Sequence, residues 1–163
     1  MFHNKRIYKP FNVAIATLML LTACDPTAKY EKEEKALIQD YLSGHPEYSF
    51  ELKASGLYYM NIVVGTGRQP VTHDTASVLY TGSYLDGKVL GTNIGSDTLV
   101  YPVNENILLP GFEEAVMYMK EGGKSRVLMN SDLGYGNSGL YFPAYTPVVF
   151  EIQLLSVVPG PGK

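Results

Sequence analysis

The sequence predicts an α+β domain in which several antiparallel strands accompany one short helix. Three observations support this prediction. The chain has 163 residues, which is the size of one domain with one core. It contains 13 Tyr and 6 Phe, whose rings favour the pleated surface of a β-sheet, and no Trp. Apolar runs bounded by Gly and Pro alternate with one internal stretch of helical spacing.

The first residues have the pattern of an export signal. A basic segment before residue 10 is followed by the apolar run VAIATLMLL, which is too short to span a bilayer. This run ends in LTAC, which is similar to the lipobox of bacterial lipoproteins, where the signal is cut before a cysteine that then receives acyl chains. An ordinary secretory signal is the alternative. Because Cys24 is the one cysteine, we expect it to be lipidated and residues 1–23 to be removed.

Residues 24–54 are predicted to form a lipidated tether followed by a helix that ends at Gly44. The apolar side chains of this helix share one face: Leu37, Ile38, Tyr41 and Leu42. The charged run from Glu31 to Lys35 indicates a solvated face. A dimerising helix is the alternative, but the apolar stripe covers little more than one turn, so we expect a monomer.

Residues 55–158 are predicted to form the globular domain, and residues 159–163 a tail. The predicted strands lie in SGLYYMNIVV, TASVLYTGSYL, KVLGTN, TLVYPV, KSRVLMN and VVFEIQLLSVV. Helical spacing connects Leu108 to Met119, with Pro110 near the start of the helix. The pair Gly122-Gly123 is expected to end this helix.

Composition and spacing exclude several classes of function. The formal charge is −3 and there is no basic patch, which argues against nucleic acid as a partner. A single cysteine excludes an intramolecular disulfide and a cysteine-based zinc cluster, and the three histidines are scattered. No G-x-S-x-G motif is present, and GTG at residues 65–67 lacks the lysine of a phosphate loop. An apolar, tyrosine-rich surface on a small sheet remains as the candidate site.

Four motifs, in this order and at nearly the right separations, resemble FKBP-type peptidyl-prolyl cis–trans isomerases: VLYTGSYLDGKVL, LLPGFEEAVMYMKEGGKSRVLM, DLGYG and PVVFEIQLLSV. The resemblance covers about Ser55 to Val158. It implies a twisted antiparallel sheet wrapped around one short helix, with an aromatic pocket between them where X–Pro bonds are isomerised. The family uses no metal, cofactor or nucleophile, and we expect none here.

The resemblance also implies roles for individual residues. Catalytic roles are implied for Tyr80, Leu90, Phe112 and Tyr135. Substrate contacts are implied for Leu99, Leu108, Leu109, Phe142 and Phe150. The Leu109 N–H is expected to donate to a substrate carbonyl, and the Tyr135 hydroxyl offers a second hydrogen bond. From the apolar pattern alone, Tyr80, Phe112 and Phe150 fit ordinary core packing equally well.

Two positions depart from the family pattern. Where the family commonly has Phe-Asp, this chain has Leu90-Gly91, which removes an aromatic ring and a carboxylate near the tyrosine hydroxyl. Hydrogen bonds to charged groups are worth about 1.5–3 kcal/mol, so this loss lowers the rate by roughly 10- to 100-fold. The loop between Gly139 and Phe142 is also shorter than in small family members. Two functions stay open: an isomerase, or a binding or chaperone module with little or no isomerase activity.

The signal and the domain together predict a protein of the bacterial cell envelope. We expect an anchor at Cys24 in the outer membrane facing the periplasm, with the cell surface as the alternative. The expected partners are proline-containing exported polypeptides and the membrane itself, without nucleic acid. An isomerase of this kind assists the folding of exported envelope proteins.

Overall fold

A computed structural model describes residues 26–140 and 142–161, so the predicted lipidation site at Cys24 lies outside the described residues. The helices are α1 (Pro26–Gly44), α2 (Pro110–Tyr118) and a 3-10 helix (Ser131–Leu133). The strands are β1 (Glu51–Leu52), β2 (Tyr58–Val63), β3 (Thr75–Tyr84), β4 (Val89–Thr92), β5 (Leu99–Pro102), β6 (Lys124–Met129) and β7 (Val148–Val158). The prediction of an α+β fold with an N-terminal helix is confirmed.

The strands form one antiparallel sheet in the order β1-β2-β6-β7-β3-β4. Strand β5 pairs with the first half of β3, and β4 pairs with the second half on the same side. The last strand, β7, lies in the middle of the sheet between β6 and β3. Its pairing with β3 extends from Val158 opposite Thr75 to Val148 opposite Tyr84.

Helix α2 covers one face of this sheet, here called the inner face. Phe112, Ala115 and Val116 of α2 are buried in a core shared with alternate residues of the strands, among them Phe150 and Ile152. Because neighbouring residues of a strand point to opposite faces, the residues between them form the outer face. The candidate pocket residues therefore belong to the same layer as the core.

Helix α1 lies on the outer face, and its contacts correct the predicted apolar stripe. Ile38 is buried with Leu128 and Val149 of the sheet, while Tyr41 and Leu42 pack around them. Leu37 is 51 % exposed, although it was predicted to share this face. Adjacent residues of a helix lie about 100° apart, so a narrow contact centred on Ile38 leaves Leu37 in solvent. The helix begins at Pro26, so the described part of the chain contains no separate tether.

The charged run in α1 is also not uniformly solvated. Glu34 is 5 % exposed, against the expectation of a solvated face from Glu31 to Lys35. Its carboxylate accepts hydrogen bonds from the N–H and the hydroxyl of Ser131, at 2.6 and 3.0 Å. Burial raises the pKa of Glu34, and these two hydrogen bonds oppose that effect. The carboxylate of Glu34 thus attaches α1 to the segment that follows β6.

Helix α2 ends earlier than predicted. Its last helical residue is Tyr118, and Met119 is extended with φ −81° and ψ 162°. The side chain of Met119 is buried, and its sulfur accepts a hydrogen bond from the Ser125 hydroxyl at 3.0 Å. Met119 therefore leaves the helix while keeping its side chain in the core. Gly122-Gly123, predicted to end the helix, lie in the turn that follows.

Candidate active site

An apolar cavity of about 130 Å³ opens between α2 and the inner face of the sheet. Its lining consists entirely of predicted site residues: Tyr80, Leu99, Leu108, Leu109, Phe112, Tyr135 and Phe150. Leu90 and Phe142 do not line it. Both are half-buried against the neighbouring core, and Phe142 lies over Tyr135. The structure thus collects most of the predicted residues in one place and leaves two beside it.

Three aromatic rings form the floor of the cavity. The ring centroids of Tyr80 and Phe112 lie 5.7 Å apart at 86°, and those of Phe112 and Phe150 lie 5.6 Å apart at 88°. Tyr80 completes the triangle at 6.1 Å from Phe150. Edge-to-face pairs of this kind contribute about 0.5–1.5 kcal/mol each beyond their buried area. Phe112 and Phe150 are 3 % and 4 % exposed, so they serve the core and the cavity at once.

Gly82 makes room for this floor. A Cβ atom at Gly82 would lie 2.6 Å from a ring carbon of Phe150, a distance that real Cβ contacts do not show. Gly82 and Phe150 stand opposite each other on β3 and β7. The glycine of the YTG motif therefore has a packing reason, because any side chain there would displace the Phe150 ring.

Glu113 positions the wall formed by Leu108 and Leu109. Its buried carboxylate accepts hydrogen bonds from the N–H groups of Asn106, Ile107 and Leu108, at 3.1, 2.7 and 2.8 Å. The sequence indicated only that this acid suits the first turn of α2. An acid five residues after Leu108 was a usable signal, but its donors are backbone N–H groups that no motif specifies.

Leu109 lines the cavity and lies directly before α2. Its carbonyl accepts hydrogen bonds from the N–H groups of Phe112 and Glu113, at 2.9 and 3.0 Å. Within residues 26–140 and 142–161, no acceptor takes the N–H of Leu109. This donor is therefore available to a carbonyl that enters the cavity beside Leu109.

Asn93 fixes the backbone behind Tyr80, which the sequence did not indicate. Its side-chain oxygen accepts the Tyr80 N–H at 2.7 Å, and its amide nitrogen donates to the carbonyl of Val78 at 3.0 Å. The same nitrogen donates to the carbonyl of Asp97 at 3.3 Å. Asn93 thereby attaches the loop after β4 to β3 and holds Tyr80 in place.

Tyr135 and Phe142 form an aromatic rim with Tyr84. The rings of Tyr135 and Phe142 stack at 4.1 Å and 23°, and those of Phe142 and Tyr84 stack at 5.6 Å and 13°. Tyr135 is 41 % exposed. Burial raises the pKa of its hydroxyl, and the neighbouring Tyr80 and Tyr84 add to this effect. The phenol therefore stays protonated at neutral pH and is able to donate a hydrogen bond.

Gly91, where the family commonly has Asp, has free space around it. Gly91 stands opposite Gly82 in the β3–β4 pairing, and a Cβ atom built on it meets nothing within 4 Å. The glycines with positive φ among the described residues do not include Gly91, so its backbone suits any residue. The structure thus offers neither a steric nor a backbone reason for glycine at this position.

A larger groove of about 440 Å³ lies on the outer face, between the end of α1 and the β3–β4 hairpin. It is lined mainly by polar and charged groups, and one of them, Glu151, is already paired with Arg126 and, at 2.6 Å, with Lys124. Arg126 also lies over the ring of Tyr48 at 4.0 Å. We take the smaller cavity as the candidate active site because it is apolar and contains donors without acceptors.

Within residues 26–140 and 142–161, no group of three or more His, Cys, Asp or Glu side chains is arranged to hold a metal ion. None of the helices described is both long and apolar enough to cross a bilayer.

Known proteins resemble this chain over most of its length. FkpA from Escherichia coli (strain K12), an FKBP-type peptidyl-prolyl cis-trans isomerase, is 31 % identical over 118 residues, 71 % of this chain and 43 % of its own. The macrophage infectivity potentiator of Trypanosoma cruzi is 36 % identical over 114 residues, 67 % of this chain and 56 % of its own. The chain therefore spans about half the length of the curated relatives it matches.

The fold and a family-wide sequence match agree with these relatives. The crystal structure of E. coli FkpA superposes with a TM-score of 0.70 at 29 % identity, covering 83 % of this chain and 65 % of that one. The sequence pattern of FKBP-type peptidyl-prolyl cis-trans isomerases matches residues 66–155, which include every residue that lines the candidate cavity. The chain belongs to the FKBP-type peptidyl-prolyl cis-trans isomerase family.

Proposed function

We propose that this protein isomerises X–Pro bonds in the cavity between α2 and the inner face of the sheet. The observation that supports this most is an apolar, aromatic cavity whose lining residues include two available donors. Those donors are the Leu109 N–H, which has no acceptor in the described part of the chain, and the protonated hydroxyl of Tyr135. Proline-containing polypeptides are the substrates expected of an isomerase of this family.

The chemistry requires no bond to be broken. Resonance holds the X–Pro amide planar and creates a barrier of about 18–20 kcal/mol. An apolar site disfavours the charge-separated planar amide relative to the twisted form, in which the resonance is lost. Binding that is tighter for the twisted form lowers the barrier. The rings of Tyr80, Phe112 and Phe150 supply the apolar surface in this proposal.

Hydrogen bonds then select the twisted geometry. The Leu109 N–H donates to the carbonyl of a substrate residue next to proline, and Glu113 keeps this segment in place through Ile107 and Leu108. Tyr135 donates from the rim, with Phe142 stacked behind its ring. Donors that are already oriented cost no reorganisation when the amide twists.

The substrate-facing roles proposed for the remaining residues follow from their positions. Leu99 and Leu108 line the cavity, so they contact the side chains that flank proline. Leu90 lies beside the cavity, where it packs against the core and closes the wall next to Tyr80. Phe142 extends the apolar surface outside the cavity along the bound peptide.

A binding or chaperone module of the same fold is the second candidate. Leu90 does not reach the cavity lining, and Gly91 supplies no carboxylate next to the tyrosine hydroxyls. A pocket of this composition binds proline and its neighbours through shape alone. Such a module would bind peptides or delay the aggregation of an unfolded protein without accelerating isomerisation.

An isomerisation assay distinguishes the two functions. The chain without its predicted signal is added to an X–Pro peptide whose cis and trans forms exchange over tens to hundreds of seconds, and exchange is followed by NMR. We expect clear acceleration, and we expect Tyr80→Leu to reduce it strongly. Thr81→Ala is the matched control, because Thr81 is the next residue on β3 and its hydroxyl bonds to Thr92 on the other face. Peptide binding without acceleration would instead support the binding module.

We further propose that the protein is a lipoprotein of the cell envelope, anchored at Cys24 after removal of residues 1–23, in the outer membrane with the domain in the periplasm. The support is the LTAC sequence at the end of a short apolar run, together with the single cysteine. Two or more acyl chains anchor a protein stably, since each buried CH₂ contributes about 0.8 kcal/mol. Clients would then be exported polypeptides.

The lipid anchor is tested by Cys24→Ser in cells that express the full-length chain. We expect the wild type to partition into detergent and to incorporate labelled fatty acid, and the variant to do neither after signal removal. A variant that is processed and partitions like the wild type would show that the anchor lies elsewhere.

A further inference from the structure

Helix α1 contacts both ends of the segment that contains Tyr135 and Phe142. We call residues 131–147, between β6 and β7, the substrate loop. At the first residue of this loop, Ser131 donates two hydrogen bonds to the Glu34 carboxylate. Near the last residue, the ring of Tyr145 stacks on the ring of Tyr30 at 5.4 Å and 17°.

Ser131 connects Glu34 to the residues around Tyr135. Its N–H and hydroxyl face Glu34, while its carbonyl accepts the N–H groups of Gly134 at 3.0 Å and Gly136 at 2.8 Å. These two glycines flank Tyr135 in the chain. A continuous set of hydrogen bonds therefore leads from α1 to the backbone on both sides of the rim tyrosine.

The packing of α1 on the sheet does not require a buried charge at Glu34. Ile38, one turn further on, already fills the contact with Leu128 and Val149. A carboxylate that is 5 % exposed is costly unless it is hydrogen-bonded. The bond from the Ser131 N–H, at 2.6 Å, is short, as is usual for a charged acceptor, and the hydroxyl adds a second bond at 3.0 Å. The carboxylate therefore holds the loop as well as the helix.

The far end of the substrate loop is held in an uncommon backbone conformation. Tyr145 has φ +53°, a region that residues other than glycine seldom occupy. The stack with Tyr30 covers this residue from α1. Between the two attachment points, Phe142 lies between Tyr135 and Tyr84 in the aromatic rim. The loop is thus fixed at two points by α1 and at one point by the sheet.

We propose that Glu34 and Tyr30 are positioning residues for substrate binding, which hold the substrate loop where Tyr135 and Phe142 meet the peptide. This inference rests on the proposed isomerase function. Neither residue touches the cavity; each acts through the loop. Helix α1 then contributes to substrate binding, although it lies on the outer face of the sheet and the cavity lies on the inner face.

The main test compares Glu34→Ala with Glu33→Ala in the full-length protein. Glu33 is the next residue of α1, its side chain is 57 % exposed, and it faces Lys29 in a surface pair. We expect Glu34→Ala to raise KM for an X–Pro peptide by roughly tenfold with a smaller change in kcat, because displaced contacts cost binding and rate steeply. Glu33→Ala is expected to leave both constants unchanged.

Amide hydrogen exchange provides a measurement that does not depend on activity. In Glu34→Ala, we expect the amides of Ser131, Gly134 and Gly136 to exchange faster, while those of β6 and β7 keep their wild-type rates. Glu34→Gln retains an acceptor for the Ser131 N–H, so it is expected to restore part of the protection and part of the KM. It also serves as the informative variant if Glu34→Ala does not fold.

Tyr30 is tested by a ring-deleting and a ring-preserving change. Tyr30→Ala is expected to raise KM by a few-fold and to increase exchange near Tyr145, because the stack is lost. Tyr30→Phe keeps the ring and is expected to behave as the wild type. Equal effects of the two changes would show that stacking on Tyr145 does not position the loop.

The outcomes separate this inference from the function on which it rests. A wild type that does not accelerate isomerisation refutes the proposed function, while the exchange rates at Ser131, Gly134 and Gly136 still test the positioning. If Glu34→Ala and Glu34→Gln leave those rates and KM unchanged, the positioning role is wrong. The same holds if protection falls equally across the whole sheet, because Glu34 would then act only on overall stability.

Discussion

The two faces of the sheet are formed by alternate residues of the same strands, and outside the apolar patch that α1 covers they have opposite chemistry. On β7, the ring of Phe150 is 4 % exposed on the inner face and packs against Phe112. The next residue, Glu151, points to the outer face and pairs with Lys124 and Arg126. Strand β6 repeats the pattern: Val127 is fully buried in the core, and Arg126 before it pairs with Glu151 on the outer face.

This difference shows where the fold and the proposed function depend on the same atoms. On the inner face, apolar burial stabilises the fold and also forms the cavity, so a change there affects both. On the outer face, ion pairs that are partly in water contribute little to stability. Variation of these ion pairs should therefore leave the cavity intact, whereas variation of the inner face should not.

The largest effect is expected for Phe150→Ala. The change removes a buried ring from the core and from the floor of the cavity, and it leaves a void opposite Gly82. Replacement of a buried Phe by Ala costs about 3–5 kcal/mol in free energy of unfolding. Urea unfolding measures this loss. A loss below about 1 kcal/mol would show that the inner face does not combine core and site as described.

A gain in activity is expected for Leu90→Phe combined with Gly91→Asp. The double variant restores the ring and the carboxylate that the family commonly has at these two positions, and one hydrogen bond to a charged group corresponds to roughly a tenfold higher kcat/KM. The open space and ordinary backbone at Gly91 predict that the thermal midpoint changes little.

The two single variants are the controls for this gain, since they separate the ring from the carboxylate. A stable double variant without a gain, from an inactive wild type, would favour the binding module. A marked fall in the thermal midpoint would instead show that the β3–β4 hairpin does not accept the pair.

A smaller loss is expected for Tyr135→Phe. The ring and its stack on Phe142 remain, and one neutral hydrogen bond worth about 0.5–1.5 kcal/mol is removed, so kcat/KM should fall by a few-fold to about tenfold. Tyr84→Phe is the matched control, because its ring belongs to the same stack. Equal losses in the two variants would mean that the Tyr135 hydroxyl has no special role as a donor.

The smallest effect is expected for Glu151→Gln on the outer face. Its side chain is 30 % exposed, and its pairs with Lys124 and Arg126 are screened by water. The free energy of unfolding should therefore change by less than about 1 kcal/mol, without a change in kcat/KM. Urea unfolding alongside Phe150→Ala compares the two faces directly; a loss similar to that of Phe150→Ala would remove the distinction.

Most of the fold was predictable because apolar spacing identifies strands and helices locally. The alternation in VVFEIQLLSVV predicted β7, and the spacing from Leu108 to Met119 predicted α2, although Met119 itself leaves the helix. The short elements escaped: β1 has two residues and the 3-10 helix has three, too few to show a period. The cavity residues came from the family resemblance, since periodicity alone could not separate Phe112 and Phe150 from an ordinary core.

The polar residues that hold the site were not predictable in the same way. Glu34 bonds to Ser131 across 97 positions, and a local pattern of charges gave the opposite expectation of a solvated face. Asn93 and Glu113 accept from backbone N–H groups, whose positions follow from the folded chain and not from side-chain identity. Hydrogen-bond partners that meet only in the folded chain produce no local sequence pattern around either residue.

The central place of β7 has a consequence for the order of folding. Without β7, the sheet falls into two separate groups, β1-β2-β6 and β3 with β4 and β5. The cavity takes Tyr80 from one group, Tyr135 from the loop after the other, and Phe150 from β7 itself. No stable domain and no pocket can therefore form until the last strand is available, and closing such long loops is slow. A chain from which β7 is deleted is therefore expected to lose the core and the cavity together.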